Sequence, residues 1–330
     1  MFPLLLCATL LLTGCPKSDK PEQPRSGISE RPATPENPAV VPGAAGFNGE
    51  RAMDHARKQI EIGPRPPGTP ALAATRDYII NNLKSAGLSV TTDEFTPSTP
   101  AGPKKMVNIT AELPGESKDV IIVASHYDTK LYKDMHFVGA NDPAASVATL
   151  VEMGRVLGVN HQKPKFTYWL VFFDGEEAFC EEWDECGKPN APDNTYGSRH
   201  FVSQLQQKSE LNRVRAMILL DMMGYKELEL GRDTMSTRWL QDIIWQTGRE
   251  LGYSKIFVDR PEGVGGDDHE PFLRAGIDAV DMIQLNGYPF WHKADDSIDK
   301  ISAQSMKVVG DTVLASLPRV EKYLQNRPRK

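Results

Sequence analysis

The sequence predicts an α/β fold: a single domain built on a central, mostly parallel, mixed β-sheet flanked by helices. Three observations carry that expectation. Apolar runs at 119–128 (DVIIVASHYD), 166–173 (FTYWLVFF) and 214–222 (VRAMILLDM) show no polar alternation, as strands buried on both faces do. Segments with helical apolar spacing lie between them, the alternation that a parallel sheet requires. The runs also deliver acids or imidazoles at their carboxyl ends, where ligand sites of open α/β sheets gather.

The elements follow in order. Residues 49–61 space Ala52, Ala56 and Ile60 along one helical face. GPRPPGTP (63–70) is loop, since its prolines and glycines forbid regular structure. Residues 71–86 form a helix stopped by Gly87, a residue suited to the left-handed C′ position. Strands are expected at 88–96, 106–113 and 119–128. A loop with FVGANDPAAS (137–146) enters a helix running to about Leu157. Strand 166–173 then runs into Asp174-Gly175-Glu176-Glu177, where the alternation of an extended segment would give the two glutamates different neighbours. The acidic segment 180–195 is long for a connection, which suits a functional loop. Helix 196–205, strand 214–222 ending near Asp221, helix 236–251, a Gly-rich turn into a helix at 264–276, strand 279–285, loop 288–292 and helix 302–324 complete the chain.

With 330 residues, 40% hydrophobic and 25% charged, the composition is that of a globular protein. A net charge of −6 without a basic stripe excludes a binder of nucleic-acid backbone. Residues 1–15 (MFPLLLCATLLLTGC) are too short an apolar run to span a bilayer and suit a signal segment. Their ending resembles the lipobox of bacterial lipoproteins. That resemblance makes Cys15 the lipidated residue and, with Pro16 after it, implies an envelope protein on the outer membrane, its only membrane contact the lipid. Residues 16–46 are a Pro- and Ser-rich flexible linker, leaving 47–330 as the catalytic domain. Cys180 and Cys186 are either a local disulfide or free thiols.

The candidate site is the set at the strand ends: His126, Asp128, Asp142, Glu176, Glu177, Asp221, Asp267, Asp268, His269, Trp291 and His292. Asp142 before Pro143, and Asp268, would each also serve as a helix cap. Dispersed carboxylates and imidazoles suit a catalytic zinc with an open position, beside a carboxylate that shuttles protons.

SHYDTKLY (125–132), FVGANDPAAS (137–146), FFDGEEAF (172–179), YGSRHF (196–201), LLDMMG (219–224), DDHEPFLRAG (267–276) and FWHKADD (290–296) together resemble the animal-type glutaminyl-peptide cyclotransferases within the M28 zinc peptidases. The resemblance spans most of residues 119–300. It implies the zinc aminopeptidase-type α/β fold and one Zn²⁺ held by Asp142, Glu177 and His292. Glu176 would be the proton carrier, Asp267 and Asp221 an acidic network beside the substrate amide, and Trp291 and Trp183 the pocket walls. The implied substrate is a peptide or protein with N-terminal Gln, the implied product pyroglutamate, and a monomer is expected. Gly266 departs from the animal pattern, which often has Gln there. Two alternatives stay open. In a two-zinc aminopeptidase of M28 type, His126 and Asp221 would complete a second metal site beside Asp142. The third reading is a lipoprotein that only binds peptides.

Overall fold

A computed structural model describes residues 46–160, 163–189 and 191–327. Cys15, the leader and all but the last residue of the linker lie outside the described residues. Helices α1 (Gly49–Ile62) and α2 (Pro70–Ser85) come first, then strands β1 (Ser89–Phe95), β2 (Met106–Leu113) and β3 (Val120–His126). A wound turn at Ala140–Ala145 opens α3 (Ser146–Val159), which leads to β4 (Thr167–Phe173). The two-residue strands β5 (Gly187–Lys188) and β6 (Ala191–Pro192) form a small hairpin before α4 (Tyr196–Gln207). Then come β7 (Val214–Leu220), β8 (Leu230–Asp233), α5 (Arg238–Glu250), β9 (Phe257–Glu262), α6 (Glu270–Arg274), β10 (Ala279–Met282) and α7 (Ala303–Gln325). None of the described helices is long and apolar enough to cross a membrane.

The main sheet runs β1-β2-β4-β3-β7-β10. Pairs β4–β3, β3–β7 and β7–β10 are parallel, while β1–β2 and β2–β4 are antiparallel, so the expected mixed sheet is found. Every residue of β3 and β4 is buried because both faces are covered. On one side Ile121, Val123, Leu170 and Phe172 pack with residues of α1, α2, α3, α5 and α7. On the other, Val120, Ile122, Val171 and Phe173 meet Phe201 of α4 and Phe272 of α6. Removing Phe172 or Phe173 from water contributes roughly 1.5–3 kcal/mol each.

Local chemistry sets both ends of α2, and the stop at Gly87 is the expected one. Thr69 Oγ1 accepts the Leu72 N–H and caps α2, and Gly87 closes it with φ 85°. Three expectations need correction. Strands β7 and β10 stop at Leu220 and Met282, short of 222 and 285. Met222 turns to φ 43°, which ends pairing just past Asp221. Asp142 does not cap α3: its φ/ψ of −119°/90° aims the side chain elsewhere, and the N-cap residue of α3 is Ala145, with no side-chain cap bond. Nor does Asp268 cap α6, whose N-cap residue is His269 and which has no side-chain cap bond. The parallel pair β8–β9 was not expected, because its short strands are studded with charges.

Gly197 at the start of α4 lets that helix touch the end of β4. A Cβ there would lie 2.6 Å from the Asp174 carbonyl oxygen and 2.7 Å from Asn108 Oδ1. Asn108 in turn donates to the Gly197 carbonyl at 2.9 Å and accepts the Asp174 N–H at 3.1 Å. Gly197→Ala is expected to cost about 1–3 kcal/mol of stability in urea denaturation.

Candidate active site

Two turns, each held by one buried carboxylate, build the site. After β4 the chain leaves the sheet at Asp174, and Asp128 accepts the N–H groups of Gly175, Glu176 and Glu177 at 2.8, 3.1 and 3.3 Å. The glutamates therefore sit in a turn beyond the strand. The alternation expected of an extended segment does not apply, and both side chains face one cavity. Gly175 takes φ 75°, and a Cβ there would meet Met106 Sδ at 2.5 Å.

The second turn delivers Asp142. Asp296 accepts the N–H of Asn141 at 2.8 Å and of Asp142 at 3.1 Å, and the Tyr288 hydroxyl at 2.5 Å. Asn141 ties the turn to the end of β7, accepting the Gly224 N–H at 2.7 Å and donating to the Met222 carbonyl at 3.2 Å. Gly139 (φ 52°) permits the close approach, since a Cβ would lie 1.8 Å from the Asp142 carbonyl oxygen. Arg65, fully buried, donates to the Gly139 carbonyl at 3.3 Å. Burial lowers its pKa to about 10 against the attraction of Asp296, Asp128 and Asp142.

Two clusters meet at Asp142. Its Oδ2 lies 3.6 Å from His292 Nε2, which is 3.2 Å from Glu177 Oε2. Its Oδ1 lies 3.2 Å from His126 Nε2, and Asp221 Oδ1 is equally close to that nitrogen. On the far side of the same ring, Nδ1 is 3.6 Å from Glu176 Oε2. Asp142, Glu177 and His292 bring one potential ligand atom each within 4.8 Å of one another, as do His126, Asp142 and Asp221. Both carboxylate oxygens of Glu177 are buried without a hydrogen-bond donor. His292 adopts φ 54° with its ring stacked on Trp291, centroids 4.2 Å apart.

The electrostatics separate the adjacent glutamates. Burial, reinforced by Glu177, Asp267 and Asp268, holds the Glu176 carboxyl well above its ordinary range despite His126. Burial pushes Glu177 the same way, yet His292 and Lys130 overcome it and leave that carboxyl below its usual value. Asp267 is pushed up to about 7 by burial and the nearby Asp221.

A cavity of about 210 Å³ opens over this edge. Asp142, Glu176, Glu177, Asp221, Asp267 and His292 line it with Trp183 and Trp291, so these eight expected residues converge. His126 lies beneath them, 1% exposed. Asp128 supports the Glu176 turn, and Asp268 and His269 are buried away from the cavity lining. His269 Nε2 lies 3.3 Å from Asp233 Oδ2 and its Nδ1 3.9 Å from Asp281 Oδ2. Cys180 and Cys186 form a disulfide in the loop that carries Trp183. Sequence reasoning missed Asp296, Arg65, Lys130 and Asp281. Asp281 had a signal, a charge inside an apolar strand; Asp296 ends the string FWHKADD and was readable only as part of it.

A family model described as Peptidase family M28 matches residues 108–317. A glutaminyl-peptide cyclotransferase from Bos taurus is 30% identical over 270 residues, covering 72% of this chain and 73% of its own length. Among solved structures, a glutaminyl cyclase of an Acidobacteriales bacterium superposes with a TM-score of 0.78 at 34% identity, covering 89% of this chain and all of its own. A Zn-dependent exopeptidase from Parabacteroides distasonis superposes at 0.74 with 25% identity, covering 87% and 100%.

Asp128 is the support whose loss reaches both glutamates. Asp128→Ala strips three buried N–H groups of a charged acceptor, and a loss of about 3 kcal/mol is expected in urea denaturation.

Proposed function

Because the chain belongs to peptidase family M28, alongside its glutaminyl-peptide cyclotransferases, we propose that it converts the N-terminal glutamine of peptides to pyroglutamate, releasing ammonia, as a zinc-dependent acyltransferase. The observation that carries this reading is the cavity floor, where the buried carboxyls of Glu176 and Asp267 face a space small enough to take one residue at a chain end. The similar cyclotransferase and cyclase support the substrate class.

Asp142, Glu177 and His292 fit a zinc ion: they are a mixed carboxylate–imidazole set, and the donor-free oxygens of Glu177 call for a cation. Zinc bound there would supply Lewis-acid polarisation of the substrate's γ-carboxamide carbonyl. One ion is the reading we adopt, supported by His126. Its Nε2 lies within hydrogen-bond reach of Asp221 Oδ1, at 3.2 Å, and so gives that carboxylate a protein partner without a second ion.

The chain's own groups do the rest. Glu176 takes a proton from the neutral α-amine as its nitrogen bonds to the side-chain carbonyl carbon. It returns that proton to the amide nitrogen as the carbon–nitrogen bond breaks and ammonia leaves. A carboxyl raised by burial is a stronger base than one in water. Asp267, backed by Asp221, accepts hydrogen bonds from the amide nitrogen and orients it. Trp183 and Trp291 exclude water, which strengthens every charge interaction inside. Holding both ends of one residue makes the step intramolecular, so orientation supplies much of the rate.

We also propose that the chain is an exported lipoprotein anchored through Cys15. The Cys180–Cys186 disulfide supports an oxidising compartment.

Mass spectrometry of a Gln-initiated peptide tests the activity. Loss of one ammonia is expected, abolished by a chelator and restored by zinc; release of free glutamine with a shortened peptide would sink the reading in favour of an aminopeptidase. Glu176→Gln is expected to lower kcat by roughly 10²–10⁴ while peptide binding persists.

The pH profile provides a separate check. Two groups must be deprotonated, Glu176 and the peptide α-amine, whose pKa is about 7.7–8.0. Thus kcat/KM should climb with pH through neutrality, and a flat profile between mildly acidic and mildly alkaline pH would contradict attack by the neutral α-amine.

A further inference from the structure

The loop between Glu177 and α4 contains a ring that the proposed chemistry leaves unused. The Cys180–Cys186 disulfide closes it. Its base is fixed from two sides: Asp193 accepts the N–H groups of Phe179 and Cys180 at 3.0 and 2.9 Å, and the buried Lys130 ammonium donates to the carbonyls of Ala178 and Cys180 at 2.9 and 3.1 Å. Within the ring, Glu185 turns back to accept the N–H groups of Glu181 and Glu182 at 2.9 and 3.2 Å. Asn194 donates to the Trp183 carbonyl at 3.2 Å. The residues that this braced ring adds to the cavity lining are Trp183 and Asp184.

Floor and rim of the cavity differ in chemistry. The floor is buried and rich in carboxyl groups. The rim is half-buried or exposed: Trp183, Val264, Gly265, Leu285 and Trp291 are apolar or lack a side chain, and Asp184 stands among them. Apart from the ring of His292, already engaged by Glu177, Asp184 is the one charged side chain there among the described residues. A peptide anchored on the floor by its first residue must leave across this rim. Its second side chain therefore passes indole and aliphatic surface with a carboxylate in reach.

We propose that Asp184 is a specificity residue selecting lysine or arginine at the second position of the peptide substrate, and that the disulfide ring holds it at the rim. The inference rests on the reading that the N-terminal glutamine occupies the floor. A lysine or arginine stem lays its methylenes along Trp and Leu surface while its head meets the carboxylate. A neutral residue of similar length keeps the apolar contact and forfeits the ion pair. A glutamate is repelled by Asp184. The pair is solvent-exposed, so its effect is modest and screened by salt.

The test measures kcat/KM of the full-length, zinc-loaded protein on three Gln-initiated peptides identical except for lysine, methionine or glutamate at the second position. The order lysine, methionine, glutamate is expected, with lysine about three- to five-fold over methionine at low salt, a gap that closes at high salt. Asp184→Asn should bring the lysine-to-methionine ratio close to one. Asp184→Lys should put glutamate ahead of lysine, an inversion that a merely structural role for Asp184 cannot produce. Equal rates on all three peptides, or a ratio that survives both substitutions, would overturn the selection while leaving cyclisation intact. Absence of turnover on every peptide would sink the underlying activity, and this inference with it. Cys180→Ser with Cys186→Ser should weaken the preference; a preference unchanged in that variant removes the ring from the account.

Discussion

Carboxyl groups taken out of water dominate the carboxyl edge of the sheet, and each must find a donor, a proton or a cation. Asp128, Asp296 and Asp193 find donors. They accept backbone N–H groups, and the turns so gripped are the ones that carry Glu176, Glu177, Asp142 and the Trp183 loop. Glu176, Asp268 and Asp281 lack enough donors, and burial raises all three well above the ordinary carboxylate range. Glu177 and Asp142 share His292 and still leave buried oxygens of Glu177 without a donor, which is the state that suits a metal ligand. Different answers to one desolvation problem thus divide the scaffold from the chemistry.

Much of this is legible in the sequence alone. Runs such as FTYWLVFF announce a strand covered on both faces, and β4 is such a strand, paired with β2 and β3. Because the side-chain period in a strand is two, burying every residue of a run demands packing layers on both sides, and the helices between the runs supply them. Convergence of strand-end acids and imidazoles was legible for a related reason: parallel strands all point their carboxyl ends one way. Eight of the expected residues accordingly line one cavity.

What escaped is instructive in kind. Asp296 and Arg65 act through backbone groups far away in sequence, and a bond to a backbone amide leaves no pattern in side-chain types. Asp142 resembled an ordinary helix cap because Asp before Pro is common at helix starts. Its place at the site was expected; the φ/ψ of its turn, held by Asp296, is what decides against the cap. Strands β8 and β9 were invisible because short, charge-bearing segments at a periphery do not need the apolar periodicity that core strands require.

The reach of the bond between Asn141 and Asp296 bears on how the protein comes together. These residues stand 155 positions apart, and Asp142 meets His292 across a comparable stretch of chain. Contacts of such long range carry their loop-closure entropy up front and form late and slowly. No supersecondary unit holds enough of the edge to assemble it alone, since its residues come from β3, the turn before α3, the end of β4, β7 and the segment after β10. The competent edge therefore belongs to the most global level of order in the domain. A nascent chain must have emerged well past His292 before it acquires one, and proteolytic fragments inherit none.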